Sequence, residues 1–327
     1  MKKSIYILIV SLLVSFFTGC AGESVKTPVE QIEPIRVASL KGPTSIGLVK
    51  LMKQNDNEES KNKYDFKITG TADEIIALIG RGELDIAAIP ANLASVLYNK
   101  TNGNINVAAI NTLGVLYIVE NGNTLDSIED LGGKTIYSTG KGTTPEHVLN
   151  HVLNSNGIEV GQDVTIEYKT ESTEIATLLA SSENSIALLP QPFIAAAQTK
   201  NENIRVVFSM DEAWNRLEED SSLVTGVVIV NKEFLNNNKE SFDLFLDEYN
   251  DSVSYVNKNL EESAALVGNL DIIPEAVAKK AIPLCNITFI EGTEMENRLS
   301  GYLGVLYNAN PDSVGGKLPD EGFYYKR

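Results

Sequence analysis

From Ile35 onward, short apolar runs alternate with stretches in which apolar residues recur at helical spacing. IRVAS (35–39) precedes a helical pattern beginning near Ser45. DFKIT (65–69) precedes DEIIALIGRG (73–82), and LDIAAIP (84–90) precedes ANLASVLYN (91–99). Strands alternating with helices of this length predict mainly parallel sheets flanked by helices, an α/β architecture.

The pattern is duplicated. IRVASLKGPTSIGLVKL (35–51) and TIYSTGKGTTPEHVLNHVL (135–153) each read as a strand, a Lys-Gly pair, small hydroxyl residues and a helix. EIIALIGRGELDIAAIPANLA (74–94) aligns with EIATLLASSENSIALLPQPFIA (174–195) at the same offset, so that Glu74 matches Glu174 and Pro90 matches Pro190. Two segments keeping one spacing predict two similar lobes. Two β-branched runs, NTLGVLYIVENG (111–122) and SLVTGVVIVNKEF (222–234), bracket the second copy and are expected to be the crossovers between lobes. Lobe one is then 35–117 with 226–327, and lobe two is 118–225. Beyond Asn231 the spacing becomes helical, and the Gly- and Pro-rich C-terminus is expected to wrap lobe one.

The N-terminus has a different character. Lys2 and Lys3 precede the apolar run Ile5 to Phe17, and Phe17-Thr18-Gly19-Cys20 places small residues ahead of a cysteine. The run is shorter than the roughly 20 apolar residues a bilayer span requires. Residues 1–19 are expected to be a lipoprotein signal peptide, Cys20 the lipidated residue, and 20–34 a polar flexible tether. Composition is that of an ordinary globular chain: 327 residues, 43% hydrophobic and 22% charged. The formal charge of −17 becomes −19 once Lys2 and Lys3 leave with the signal peptide. So acidic a surface opposes nucleic acid and anionic headgroups. With Cys20 lipidated, Cys285 stands alone in the apolar stretch AIPLCNITFI and is expected to be a buried small hydrophobe.

Strands that end in small residues and feed helices present unsatisfied N–H groups at one point, and the helix dipole adds partial positive charge. In open α/β sheets this point lies outside the carboxyl ends of the strands. Facing lobes offer four such ends, after Leu40, Pro90, Thr139 and Pro190. Leu40, Thr44, Ser45, Asn92, Thr112, Thr143, Thr144 and Gln191 are therefore candidate ligand-binding residues; helix capping is the competing use of the hydroxyls. Tyr117 and Trp214, near the two crossovers, are candidates for stacking on a flat heterocycle, with core packing as the alternative. Lys41 and Lys141 are expected to be solvated. His147 and His151 lie i,i+4 on a predicted helix, but Glu146 precedes the first histidine, so the metalloprotease order is missing and no metal is assigned. GKGTTP (140–145) lacks the spacing of a phosphate-binding loop.

Several of these motifs together resemble a known family. The lipobox, KGPTS, GELDIAAIPANLA, SIEDLGGKTIYSTGKGTTPEHVL and LLPQPFI are similar to the substrate-binding lipoproteins of ABC importers, in the cluster serving nitrate, alkanesulfonates, bicarbonate and thiamine-pyrimidine precursors. The resemblance spans about 35–260. It departs at Phe17, where Leu is usual, and at Gln191, where many relatives carry Glu. It implies the two-lobe type II periplasmic-binding-protein fold and a non-enzymatic, monomeric protein without cofactor, lipid-anchored on the extracytoplasmic face. Such a protein captures a small polar or anionic organic solute between its lobes and delivers it to the permease and its ATPase. Two alternatives remain open: an enzyme of the thiamine-pyrimidine or menaquinone type on the same fold, and a surface lipoprotein without transport function. The cysteine-rich iron-binding run of the pyrimidine synthases has no counterpart here.

Overall fold

The computed structural model describes residues 33–141, 144–218 and 221–327. Cys20, the signal peptide and Thr143 lie outside the described residues. Among the described residues the strands are β1 (Ile35–Leu40), β2 (Tyr64–Thr69), β3 (Ile86–Pro90), β4 (Ile105–Leu113), β5 (Leu116–Asn121), β6 (Thr135–Ser138), β7 (Thr165–Tyr168), β8 (Ser185–Pro190), β9 (Ile204–Ser209), β10 (Val224–Asn231) and β11 (Ile287–Glu291). The helices are α1 (Pro43–Ile46), α2 (Val49–Asp56), α3 (Ala72–Gly80), α4 (Ala91–Lys100), α5 (Thr144–Ser155), α6 (Ser172–Ser181), α7 (Phe193–Lys200), α8 (Met210–Leu217), α9 (Lys232–Asn237), α10 (Lys239–Lys258), α11 (Leu260–Asn269), α12 (Glu275–Ala281) and α13 (Gly292–Ala309).

The strands form two sheets, ordered β11-β4-β10-β3-β1-β2 and β7-β6-β8-β5-β9. In the first, β1 pairs parallel with β2 and β3, while β10 runs antiparallel to both β3 and β4. The second repeats the plan: β6 pairs parallel with β7 and β8, and β5 runs antiparallel to β8 and β9. Most strands of each sheet thus point one way. The opposed strands include β5 and β10, which follow the two passages between the sheets. The duplication read from the sequence is visible in the register, where Val37 pairs with Ile86 and Ile136 with Ile186.

Burial follows the pattern that built the elements. Strand β4, flanked by β11 and β10, is buried along eight of its nine residues, as a strand covered on both faces must be. The long helix α10 turns Phe242, Phe245, Leu246, Tyr249, Val253 and Val256 inward, one stripe at 3.6-residue spacing. One apolar cluster is continuous through both sheets, joining Ala38 and Ile89 of the first to Ile118 and Leu188 of the second, with Trp214 and Tyr302 among its members.

A glycine allows the tightest approach in the first sheet. A Cβ added at Gly226 of β10 would stand 2.5 Å from Asn111 Oδ1 and 2.6 Å from Thr44 Cγ2. Gly226→Ala is therefore expected to lower stability by about 1–3 kcal/mol through overpacking. An unaltered urea midpoint in the variant would contradict this packing.

Candidate functional site

The turn after β1 is built from its own polar groups. Pro43 opens α1, and Thr44 and Ser45 follow it with hydroxyls turned back: Thr44 Oγ1 donates to the Leu40 carbonyl at 2.9 Å, and Ser45 Oγ to that of Gly42 at 2.9 Å. Asn111 Nδ2 donates to the Thr44 carbonyl at 3.1 Å, and Thr112 Oγ1 to Asn111 Oδ1 at 3.2 Å. Thr44, Ser45 and Thr112 are all buried. These residues tie the β1 turn to β4 through local back-bonding, the usual rival of both capping and ligand contact.

The equivalent turns after β3, β6 and β8 meet elsewhere, at a cavity of about 210 Å³. Pro90 and Pro190 end β3 and β8 at its wall, and Asn92 and Thr144 approach from the first turns of α4 and α5. Val115 and Leu116 contribute where the chain leaves the first sheet, and Leu223, Val224 and Thr225 where it returns. Gly114 lets these two passages touch: a Cβ there would be 2.7 Å from Asp211 Cβ and 3.0 Å from Leu223 Cβ. Burial pushes the Asp211 carboxyl above its ordinary range, against the opposing pull of the Gly114 and Leu223 N–H groups.

Tyr302, on α13, closes the cavity and joins the two sheets' elements. Thr144 lies beside its hydroxyl, and burial pushes its pKa up to about 12. Its ring meets that of Trp214 edge to face at 5.9 Å, and Trp214 lies 4.9 Å from the ring of His151. The arrangement can hold a small organic group against apolar walls with a few neutral hydrogen-bonding side chains. It has no acid or base that titrates near neutrality among the described lining residues.

Of the residues singled out in the sequence, Asn92 and Thr144 come together at the cavity. Leu40, Thr44 and Ser45 belong to the β1 turn instead, and Thr112 to the adjoining β4. Tyr117 is buried on β5 in a separate apolar cluster, where its hydroxyl donates to the Leu284 carbonyl at 2.9 Å; burial, and then the neighbouring Cys285, push its pKa up to about 12. Gln191 is buried, its Oε1 accepting from the Ala195 N–H at 3.4 Å. Trp214 is fully buried with its indole N–H donated to Ser221 Oγ at 3.1 Å, so it supports the cavity from behind. Lys41 lies 3.4 Å from Asp271, and Lys141 sits 5.7 Å above the Tyr168 ring. His151 Nε2 is 3.0 Å from Glu218 Oε1 in an ion-pair position that is not aligned as a hydrogen bond. Cys285 is buried, and burial pushes its thiol up to about 12, which makes it inert.

The sequence reading missed Tyr302 and the apolar lining, including Leu116, Val148 and Leu223. The prolines ending β3 and β8, with Asn92 and Thr144 at helix starts, were the signals that pointed to this place.

Two sheets of repeated plan, with a cavity where their strand ends and connecting passages meet, define the periplasmic-binding-protein class of fold. A family model described as NMT1/THI5 like matches residues 70–263, more than half of the chain, and the protein belongs to that family. Solved structures agree on the fold. An ABC transporter from Parabacteroides distasonis is 24% identical with a TM-score of 0.75, covering 90% of this chain and 99% of its own. The periplasmic aliphatic sulphonate binding protein SsuA from Escherichia coli is 14% identical with a TM-score of 0.70, covering 90% and 92%. The ligand-binding component of an ABC-type import system from Staphylococcus aureus, with zinc bound, is 15% identical with a TM-score of 0.65, covering 90% and 96%. No match to a curated protein is found. No helix among the described residues is long and apolar enough to cross a membrane.

Proposed function

We propose that the protein is the extracytoplasmic solute-binding component of an ABC importer, anchored through a lipid on Cys20, that captures a small organic solute and delivers it to a membrane permease. Two lobes, one built on each sheet and exchanging between β4 and β5 and again ahead of β10, rotate about the passages near Gly114 and Leu223. One observation carries the reading: the cavity lies at the ends of β3 and β8, at the first turns of α4 and α5, and against both passages at once. A ligand there touches every part that must move for the lobes to close.

Mass spectrometry of small molecules released from the gently purified protein tests this, together with melting in their presence. A ligand at about 100 times its dissociation constant adds roughly 2.7 kcal/mol of stability. Absence of any released molecule, with no melting shift across a metabolite panel, would count against solute binding.

Asn92 separates ligand contact from structural support. Its Nδ2 donates to the Ser313 carbonyl at 3.2 Å, so Asn92→Ala costs about 1 kcal/mol of stability if that bond is its only role. As part of a closed cavity it is expected to weaken binding of the co-purified molecule by roughly 5- to 150-fold as well. Titration calorimetry beside the melting curve checks both; unaltered affinity would remove Asn92 from the site.

A further inference from the structure

Resting on the solute-binding reading, the cavity carries a more specific statement about its occupant. The side chains lining it are predominantly apolar: Pro90, Pro190, Leu116, Val148, Leu223 and Val224 among them. Polar groups come from Asn92, Thr144, Thr225 and Tyr302, all uncharged, since burial holds the Tyr302 phenol protonated at neutral pH. Among the described lining residues there is no carboxylate, ammonium, guanidinium or imidazole.

Nearby cations are engaged elsewhere. Arg298, one turn before Tyr302 on α13, donates to Ser222 Oγ at 2.9 Å and pairs with Glu294 at 2.8 Å. Lys41 faces Asp271, and Lys141 lies over Tyr168. The first turns of α4 and α5 do present partial positive charge, each helix end being worth about half an elementary charge. At α5 that field is weakened twice: Pro145 removes one N–H donor, and the Glu146 carboxylate sits in the same first turn. A fully charged solute closed into such walls would lose its hydration without gaining a counter-ion. The net charge of −17 adds no attraction for an anion at long range. What remains favourable at the helix ends is a neutral acceptor, such as a carbonyl or hydroxyl oxygen.

We infer that the cavity selects an uncharged, compact organic solute, whose apolar body packs between the two prolines and the valine and leucine walls and whose neutral hydrogen-bonding group meets Asn92, Thr144, Thr225 or Tyr302. The same lining offers a sulfonate or other small anion no charged side chain, only the N–H groups of the two helix ends.

Size-matched probes that differ in charge test this. The full-length protein is titrated with benzyl alcohol, benzoate and benzylammonium, and with dimethyl sulfone against methanesulfonate. Trp214, the only tryptophan, lies beside Tyr302 and serves as the fluorescence reporter, with the co-purified molecule identified by mass spectrometry in parallel. The expected result is a neutral co-purified molecule and binding of the neutral probe at least about tenfold tighter than its charged partners, with little dependence on salt. An ionised co-purified molecule, or a charged probe binding as tightly as its neutral partner, would overturn the inference while leaving solute binding intact. No co-purified molecule and no response to any probe would overturn solute binding itself, and the inference with it.

Discussion

Replacing Trp214 by alanine is expected to lower the unfolding free energy by about 3–5 kcal/mol, the range for emptying a large aromatic site in a packed core. At roughly 2–4 °C per kcal/mol for domains of comparable size, the melting temperature should fall by roughly 6–20 °C. Trp214 is the largest of the fully buried side chains. It stands on α8, a helix whose start is fixed by Ser209 Oγ accepting the Asp211 N–H at 3.2 Å, and it packs between His151 of α5 and Tyr302 of α13. Neighbours held on two separate helices cannot collapse together to fill the gap, which places the cost in the upper part of the range. Trp214→Phe keeps most of the apolar area and loses the indole donor to Ser221, so it should cost about 1–3 kcal/mol. Urea unfolding of both variants is the measurement. A loss below about 1 kcal/mol for Trp214→Ala would mean that the Trp214 core does not link these helices as described.

The fold was legible because its elements are repeated and periodic. IRVAS, DFKIT and LDIAAIP each sit within an observed strand or extend just beyond one, and the register of β1 with β3 recurs in β6 with β8. The cavity was legible only where local sequence carries position. Asn92 stands in the first turn of the helix directly after β3, Thr144 begins the helix that follows β6, and both line it. Thr44 and Ser45 have the same residue types in the same place, yet their hydroxyls return to carbonyls three and four residues back. Nothing in a short stretch distinguishes a hydroxyl bonded backward from one pointing outward, because both suit the start of a helix. Apolar lining is harder still. Leu116, Val148 and Leu223 obey the same periodicity as core residues, and whether such a side chain meets a neighbour or a void is decided by distant segments. Tyr302 shows this most clearly, since it reaches the cavity from α13, far along the chain from the duplicated motifs.

Glu120 is the second position where a large effect is expected. It is fully buried on β5, where burial alone would raise its pKa. Its carboxylate accepts from the Thr124 hydroxyl at 2.6 Å and the Thr124 N–H at 2.7 Å, from Arg205 Nη2 at 2.7 Å and from the Leu125 N–H at 3.3 Å. Together these outweigh burial and hold the carboxyl below its ordinary value. A depressed pKa in the folded state contributes stability that is present above the unfolded value of about 4.3 and is lost as pH falls through the folded value. Glu120→Gln keeps the shape, but it turns an amide NH₂ toward groups that are themselves donors and leaves Arg205 without its carboxylate, holding only the Gly122 and Leu125 carbonyls. Near neutral pH it is expected to cost about 3–5 kcal/mol, the range for breaking a buried pair. The gap between wild type and variant should then narrow below about pH 4.3, because protonating Glu120 brings the wild-type side chain close to the amide in charge and shape. Urea unfolding across a pH series reads both the size of the gap and its closure. A gap that stays constant through the acid range would show that the Glu120 charge does not hold the turn after β5, and that the loss comes from packing alone.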